Sequence, residues 1–217
     1  MLENQKKNVC LVAKKAQKEN LCIHMSGNFS ILDKETNYIV VTPSGVDRET
    51  LSYDDMIVMD TNGTIIENKS NLKPSSETLV HMEIYKQRKD INAIAHTHSS
   101  YATTMAILNK KIPAIVYECG VLKLTKGYVP IAPYGRPGTI ELAQSVIDVC
   151  KEADVFLLEK HGAVTVGKDM DDAYLKAVYL EEIAKLYHLS LTISDGSDIN
   201  PFTQEELDAW KYPSKFK

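Results

Sequence analysis

The chain has 217 residues, 44% hydrophobic and 25% charged, a length that suits one domain spanning 1–217 and able to hold a core without disulfides or a structural metal. Its 25 Lys and Arg against 29 Asp and Glu give a formal charge of -4 with no long run of either sign, which argues against nucleic acid or a membrane as the main partner and leaves small substrates open. Cys10, Cys22, Cys119 and Cys150 form no C-x-x-C pair, the first residues lack a signal-peptide pattern, and no stretch approaches the ~18 apolar residues of a membrane span, so reduced thiols and a cytoplasmic location are expected.

Val9, Val12, Ala13 and Ala16 fall at helical spacing and predict an amphipathic helix from Glu3 to about Asn20. Strands are expected at Asn28–Leu32 and Tyr38–Thr42, then at Met56–Asp60 and Thr64–Glu67 around Asn62-Gly63, a hairpin signature in which both turn residues take positive φ. Pro74-Ser-Ser-Glu77 opens a helix to about Lys89 with a serine N-cap and an acidic first turn. Ile91–His98 reads as a buried strand and Ser99–Leu108 as a helix. Short strands at Ile112–Tyr117 and Val129–Ala132 precede a helix that Gly138-Thr139 opens, with Thr139 a good N-cap, and that runs to about Ala153. A continuous apolar strand, Asp154–Leu158, turns at His161-Gly162 into Ala163–Val166, and helices follow at Met170 to about Leu191 and Thr203–Trp210. This order suggests an α/β fold, a three-layer α/β/α sandwich with a largely antiparallel central sheet.

Among six histidines the informative pair is His96-Thr97-His98. Residues two apart on a strand point to the same face about 6.5–7 Å apart, within reach of one divalent ion. His161, at another strand end and followed by a glycine, supplies a third ligand, and three histidines leave a coordination position open for substrate. His24, His81 and His188 read as structural. Glu77 and Glu83 are the two carboxylates preceding the pair that could act as a base. Gly27-Asn28, Thr42-Pro43-Ser44-Gly45 and Ser75-Ser76 are small polar segments suited to an anion cradle of backbone N–H groups and hydroxyls.

Taken together, Pro74-Ser-Ser-Glu77, His81-Met82, Ala95-His-Thr-His98-Ser99, Ile112-Pro-Ala114, Tyr117 and Lys160-His-Gly162 closely resemble the class II aldolase/adducin-head superfamily, from the first helix to beyond His161. The resemblance implies one Zn2+ per subunit, or another divalent transition metal, held by His96, His98, His161 and Glu77. It also implies a homotetramer with active sites between subunits and a sugar phosphate substrate. In that family the acid–base group follows the Ser-Ser pair, which selects Glu77. The phosphate of dihydroxyacetone phosphate is held by the three polar segments, here Gly27, Asn28, Ser44, Gly45, Ser75 and Ser76. Tyr117 corresponds to a tyrosine reaching the neighbouring subunit's site, and Tyr212 to a second one on the C-terminal tail. The implied reaction is reversible cleavage of a ketose 1-phosphate, with L-fuculose 1-phosphate the first candidate, to dihydroxyacetone phosphate and a small aldehyde. An L-ribulose-5-phosphate 4-epimerase, a methylthioribulose-phosphate dehydratase and a 5-deoxypentulose-phosphate aldolase share the fold. The epimerase branch places an aspartate where this chain has Glu118-Cys-Gly-Val121. An adducin-head interaction module would keep the fold without the metal, which the retained histidines and Glu77 argue against.

Overall fold

In the computed structural model, which describes residues 1–194 and 199–209, the apolar stripe of α1 (Glu3–Lys18) is buried against one face of a sheet. The chain then lays down four antiparallel strands in succession: β1 (Asn28–Asp33), β2 (Tyr38–Val41), β3 (Ile57–Asp60) and β4 (Ile65–Glu67). Helix α2 (Thr78–Gln87) crosses to the other face, and β5 (Ala93–Thr97) returns to pair with β1. After α3 (Ser100–Ile107) come β6 (Ile112–Pro113), a 3₁₀ turn at Tyr117–Leu122, β7 (Tyr128–Val129) and β8 (Ile131–Ala132). Then follow α4 (Ile140–Ser145), α5 (Val149–Glu152), β9 (Val155–Leu158), β10 (Gly162–Gly167), α6 (Met170–Ser194) and α7 (Gln204–Asp208).

The main sheet has eight strands in the order β4-β3-β2-β1-β5-β10-β9-β8, and only the β8–β9 pair is parallel. Side chains alternate across it. Ile94 of β5 joins Ile39, Phe156 and Val164 beneath Val80 and Ile84 of α2 and Leu142 of α4, while Ala93 and Ala95 face α1 and the start of α6. A third cluster joins α3, the rest of α6 and the Tyr117–Leu122 turn to β9. The expected three-layer α/β/α arrangement around a largely antiparallel sheet is what the chain adopts. The four cysteines are buried and unbridged, and no described helix is long and apolar enough to cross a membrane.

Several elements differ from the sequence reading. The strand expected at Ile112–Tyr117 ends at Pro113, because its partner β7 is two residues long, and the chain winds into a 3₁₀ turn that buries Cys119 and Leu122. The strand expected at Val129–Ala132 divides at Pro130 into β7 and β8, which belong to different sheets. The helix expected from Thr139 to Ala153 breaks at 146–148, where β-branched Val146 and Ile147 meet Asp148; Thr139 does cap its first half, accepting from Leu142 N. At the β3–β4 connection only Gly63 takes positive φ, at 96°. Asp60 Oδ1 accepts from the backbone N–H groups of Asn62 and Thr64 and closes a longer loop than a two-residue turn. Glu77 is the N-cap residue of α2 and not part of its first turn. The last helix starts at Gln204, one residue after its expected start, with Thr203 as its N-cap, and Trp210, its expected end, lies outside the described residues.

One buried ion cluster ties α2 and α6 to the entrance of β9. Asp154, 2% exposed, accepts from Arg88 at 2.6 Å and from Lys176 at 2.8 Å. Burial alone would raise the Asp154 pKa, but Lys176 and Arg88 outweigh it and hold the carboxyl below its ordinary 3.8. Removing Asp154 takes the shared carboxylate from Lys176 and Arg88, which keep only Asp172 and Asp90 as acidic partners, so Asp154→Ala should cost up to about 3–5 kcal/mol in chemical denaturation near neutral pH. Because the folded-state pKa is depressed, this contribution is complete above 3.8 and disappears as pH falls through the folded value. The gap between wild type and variant should therefore narrow in acid.

Candidate functional site

Strand β5 is flanked on both sides by hydrogen-bonded neighbours, with His96 opposite Asn28 on β1 and Val164 on β10. Its side chain emerges on the α2 face. His98 lies one residue beyond the strand, its backbone N–H held by the Leu21 carbonyl at 3.1 Å. His161 sits in the connection between β9 and β10, reached through Lys160, whose φ of 57° lies in the left-handed region and sharpens the turn. Glu77, at the start of α2, covers the group.

These four residues converge. Ligand atoms from Glu77, His96, His98 and His161 all lie within 4.8 Å of one another. His96 Nε2 is 2.8 Å from His98 Nε2 and 3.0 Å from Glu77 Oε2, while His161 Nε2 is 3.0 Å from Glu77 Oε1. The three rings stand edge to face with centroids 4.7 to 4.9 Å apart. His96 Nδ1 lies 2.9 Å from the Ala163 carbonyl oxygen. Nδ1 therefore carries a proton and donates it there, which leaves the Nε2 lone pair for the cluster.

The electrostatics reflect that crowding. Burial raises the Glu77 carboxyl, but the imidazoles of His96 and His161 outweigh it and hold the group far below the usual carboxylate range. Burial lowers His96, yet Glu77 pulls its net shift upward. His98 is pushed down to about 3 by burial and by the neighbouring His96 and His161. A carboxylate beside three imidazoles with converging nitrogens is a donor set suited to a divalent transition metal.

Gly162 makes the approach possible. A β-carbon there would stand 2.5 Å from the Thr97 carbonyl oxygen and 3.1 to 3.2 Å from the His98 and His96 rings. Gly27, with φ 73°, is similarly confined, since a β-carbon would stand 2.7 Å from the His96 carbonyl oxygen.

The three polar segments expected to cradle phosphate gather beside this cluster. Ser44 N donates to the Lys73 carbonyl and Ser75 N to the Thr42 carbonyl, which zips 42–44 against 73–75. Ser75 is buried and its Oγ accepts from Glu77 N at 3.3 Å, whereas Ser44, Gly45 and Ser76 are exposed. Asn28 is buried, with Nδ2 2.7 Å from Glu77 Oε2. Tyr117, 58% exposed, opens the 3₁₀ turn and is not part of the four-residue cluster. Tyr212 lies outside the described residues. Glu83, the other carboxylate considered, bonds Gln87 along its own helix. A cavity of about 530 Å³ between α2, α4 and the β3–β4 connection is lined by Leu79, Met82 and Ile140 and by none of the four clustered residues.

Comparison with known proteins fits this geometry. Residues 7–188 match the family described as Class II Aldolase and Adducin N-terminal domain. The chain belongs to that family. It is 40% identical over 166 residues to the L-fuculose phosphate aldolase of Methanococcus vannielii, covering 76% of this chain and 86% of that one. It is 30% identical over 195 residues to the 5-deoxy-D-ribulose 1-phosphate aldolase of Bacillus thuringiensis, covering 90% and 89%. A solved L-fuculose 1-phosphate aldolase superposes with a TM-score of 0.88 at 31% identity, covering 94% of this chain and 93% of that one.

Sequence reading set His81 aside as structural and gave Ser30 and Tyr85 no role in the site, yet all three are bonded together behind Asn28. The available signal was spacing: Glu77, His81 and Tyr85 recur every four residues and so share one helix face. His24 and His188 stay apart, the first at left-handed φ in a loop and the second against the Tyr101 ring.

Gly162→Ala tests the packing at the cluster. The added methyl should cost about 1–3 kcal/mol in unfolding experiments, and should weaken zinc or cobalt binding by about tenfold or more in chelator competition. Unchanged metal affinity in the folded variant would show that the rings do not need this clearance.

Proposed function

We propose that the protein is a metal-dependent aldolase that reversibly cleaves a ketose 1-phosphate to dihydroxyacetone phosphate and a small aldehyde, with L-fuculose 1-phosphate as substrate and L-lactaldehyde as the aldehyde. The observation that carries the reading is the convergence of three histidine Nε2 atoms and the Glu77 carboxylate beside the segments 42–45 and 73–76.

His96, His98 and His161 would hold the ion through Nε2, and Glu77 would complete the set in the resting state. When bound, the ion, zinc in this proposal, supplies Lewis acidity to the carbonyl and adjacent hydroxyl oxygens of the three-carbon fragment. Ser44, Gly45, Ser75 and Ser76, with Gly27 and Asn28, would receive the phosphate through hydroxyls and backbone N–H groups, fixing the carbon skeleton against Glu77. In the condensation direction Glu77 takes the proton from the carbon beside the ketone, and in the cleavage direction it returns that proton once the carbon–carbon bond has broken. Its short distances to His96 and His161 hold it ionised before substrate arrives. With substrate in place, Glu77 would serve as the base rather than as a ligand.

Tyr117 would protonate the oxygen of the aldehyde fragment from a neighbouring copy, with Tyr212 in a similar place. The exposure of Tyr117 on this chain supports a site completed between subunits of a homotetramer. The relative acting on 5-deoxy-D-ribulose 1-phosphate supports a second substrate, since it differs from the first in the aldehyde fragment and shares the phosphate-bearing half.

Zinc-loaded protein incubated with dihydroxyacetone phosphate and L-lactaldehyde should give L-fuculose 1-phosphate, and glycolaldehyde or acetaldehyde should reveal how far the aldehyde can vary. Chelation should abolish the reaction and added zinc restore it. Glu77→Gln should lower kcat by about 10²–10⁴-fold. Condensation that survives full metal removal, or interconversion of pentulose 5-phosphates without condensation, would overturn the proposal.

A further inference from the structure

Behind the metal ligands runs a buried polar chain whose members lie on α2 and β1. Glu77 Oε2 is 2.7 Å from Asn28 Nδ2, Asn28 Oδ1 is 2.5 Å from His81 Nε2, and His81 Nδ1 is 2.6 Å from Ser30 Oγ. Tyr85 OH closes it, 2.8 Å from Ser30 Oγ and 2.9 Å from the Ser30 carbonyl oxygen. Asn28, Ser30, His81 and Tyr85 are exposed by 4% or less, so water does not compete for these bonds.

The donors and acceptors along this chain have one consistent assignment. A carboxylate only accepts, so the Asn28 atom facing Glu77 is the amide nitrogen and the atom facing His81 is its carbonyl oxygen. That oxygen also only accepts, so His81 carries its proton on Nε2. Neutral imidazole then presents a lone pair at Nδ1, which accepts a hydrogen bond from the Ser30 hydroxyl. Burial keeps His81 in that neutral form, its pKa depressed to about 3. The imidazole therefore works as a fixed, one-directional spacer. If its proton moved to Nδ1, Asn28 would lose its donor, its amide could turn over, and a carbonyl oxygen would then face the Glu77 carboxylate.

We infer that His81 is a positioning residue for the metal site. Held in one tautomer by Ser30, it fixes the Asn28 amide, which orients the Glu77 carboxylate for its service as metal ligand and base. The inference rests on the aldolase reading for the base role, but its effect on metal binding does not need a substrate. Outer partners of metal ligands typically control affinity or activity by about 10–100-fold, the range expected here.

The test compares His81→Leu with His81→Gln, whose amide presents one donor and one acceptor at nearly the imidazole spacing and cannot ionise. Cobalt affinity is measured by chelator competition in the absence of substrate, and kcat and KM for dihydroxyacetone phosphate are measured separately. His81→Leu should bind cobalt about 10–100-fold more weakly and lose a similar factor in kcat, with KM changed by no more than about threefold. His81→Gln should recover both to within about threefold. In a Glu77→Gln background, His81→Leu should weaken cobalt binding by less than about twofold, because the carboxylate it orients is gone.

Equal losses in both backgrounds would mean that His81 merely supports the fold, and full cobalt affinity in folded His81→Leu would dismiss the relay; either result overturns the inference. Should His81→Leu not fold, Ser30→Ala removes only the hydroxyl that fixes the tautomer. It should weaken cobalt binding about three- to tenfold in the presence of Glu77 and not in its absence, and no change in either background would overturn the inference. If wild-type protein condenses no aldehyde but these cobalt results hold, the aldolase reading fails and the positioning role stands.

Discussion

Three imidazole nitrogens and a carboxylate facing one another at about 3 Å do not gather unaided, because burial and converging lone pairs oppose it until a cation or shared protons intervene. The rest of the architecture makes that arrangement hard to escape. The β5 backbone is hydrogen-bonded on both edges, so His96 cannot withdraw along the sheet. His161 is delivered by a connection whose sharpness needs left-handed backbone at Lys160, and Gly162 clears the space that the rings occupy. Site preorganisation here is largely a property of the ladder β1-β5-β10, the middle of the sheet, where local opening is most costly.

Helix α2 serves the core and the site with two adjoining stripes. Val80 and Ile84 bury against Ile94, Phe156 and Val164, while Glu77, His81 and Tyr85 run beside them as a polar line. Such a line inside a core is tolerable because each group finds a partner among Asn28, Ser30 and the Asn92 carbonyl. The apolar stripe sets the height of α2 over the sheet, and the polar one converts that height into the placement of a carboxylate.

How much of this was legible in sequence follows from the range of the interactions involved. The His96-Thr97-His98 pair could be read directly, since the two-residue period of a strand decides which side chains share a face. The amphipathic α1 and the cap at Thr139 are also local properties, and both were readable. What escaped depends on partners distant in the chain. Tyr117 leaves extended structure because β7, whose Val129 pairs with Ile112, is too short to keep pairing, which the apolar look of Ile112–Val116 does not reveal, and Pro130 separates β7 from β8 because each joins a different sheet. His81 looked like an ordinary mid-helix histidine because its partners, Asn28 and Ser30, come from β1, 53 and 51 positions away.

Helix α3 begins directly after the histidine pair, and Ser99 gives it no side-chain cap. The N–H groups of its first turn are satisfied instead from α6, where the two oxygens of Glu181 accept from the backbone N–H groups of Tyr101 and Ala102, both at 2.9 Å. Eight residues are too few for a helix to persist alone in water. The stability of α3 is thus tertiary in origin, supplied by a segment some 80 residues further along. The course of the chain leaving His98 is therefore secured by a contact from the C-terminal half of the chain rather than by α3 itself.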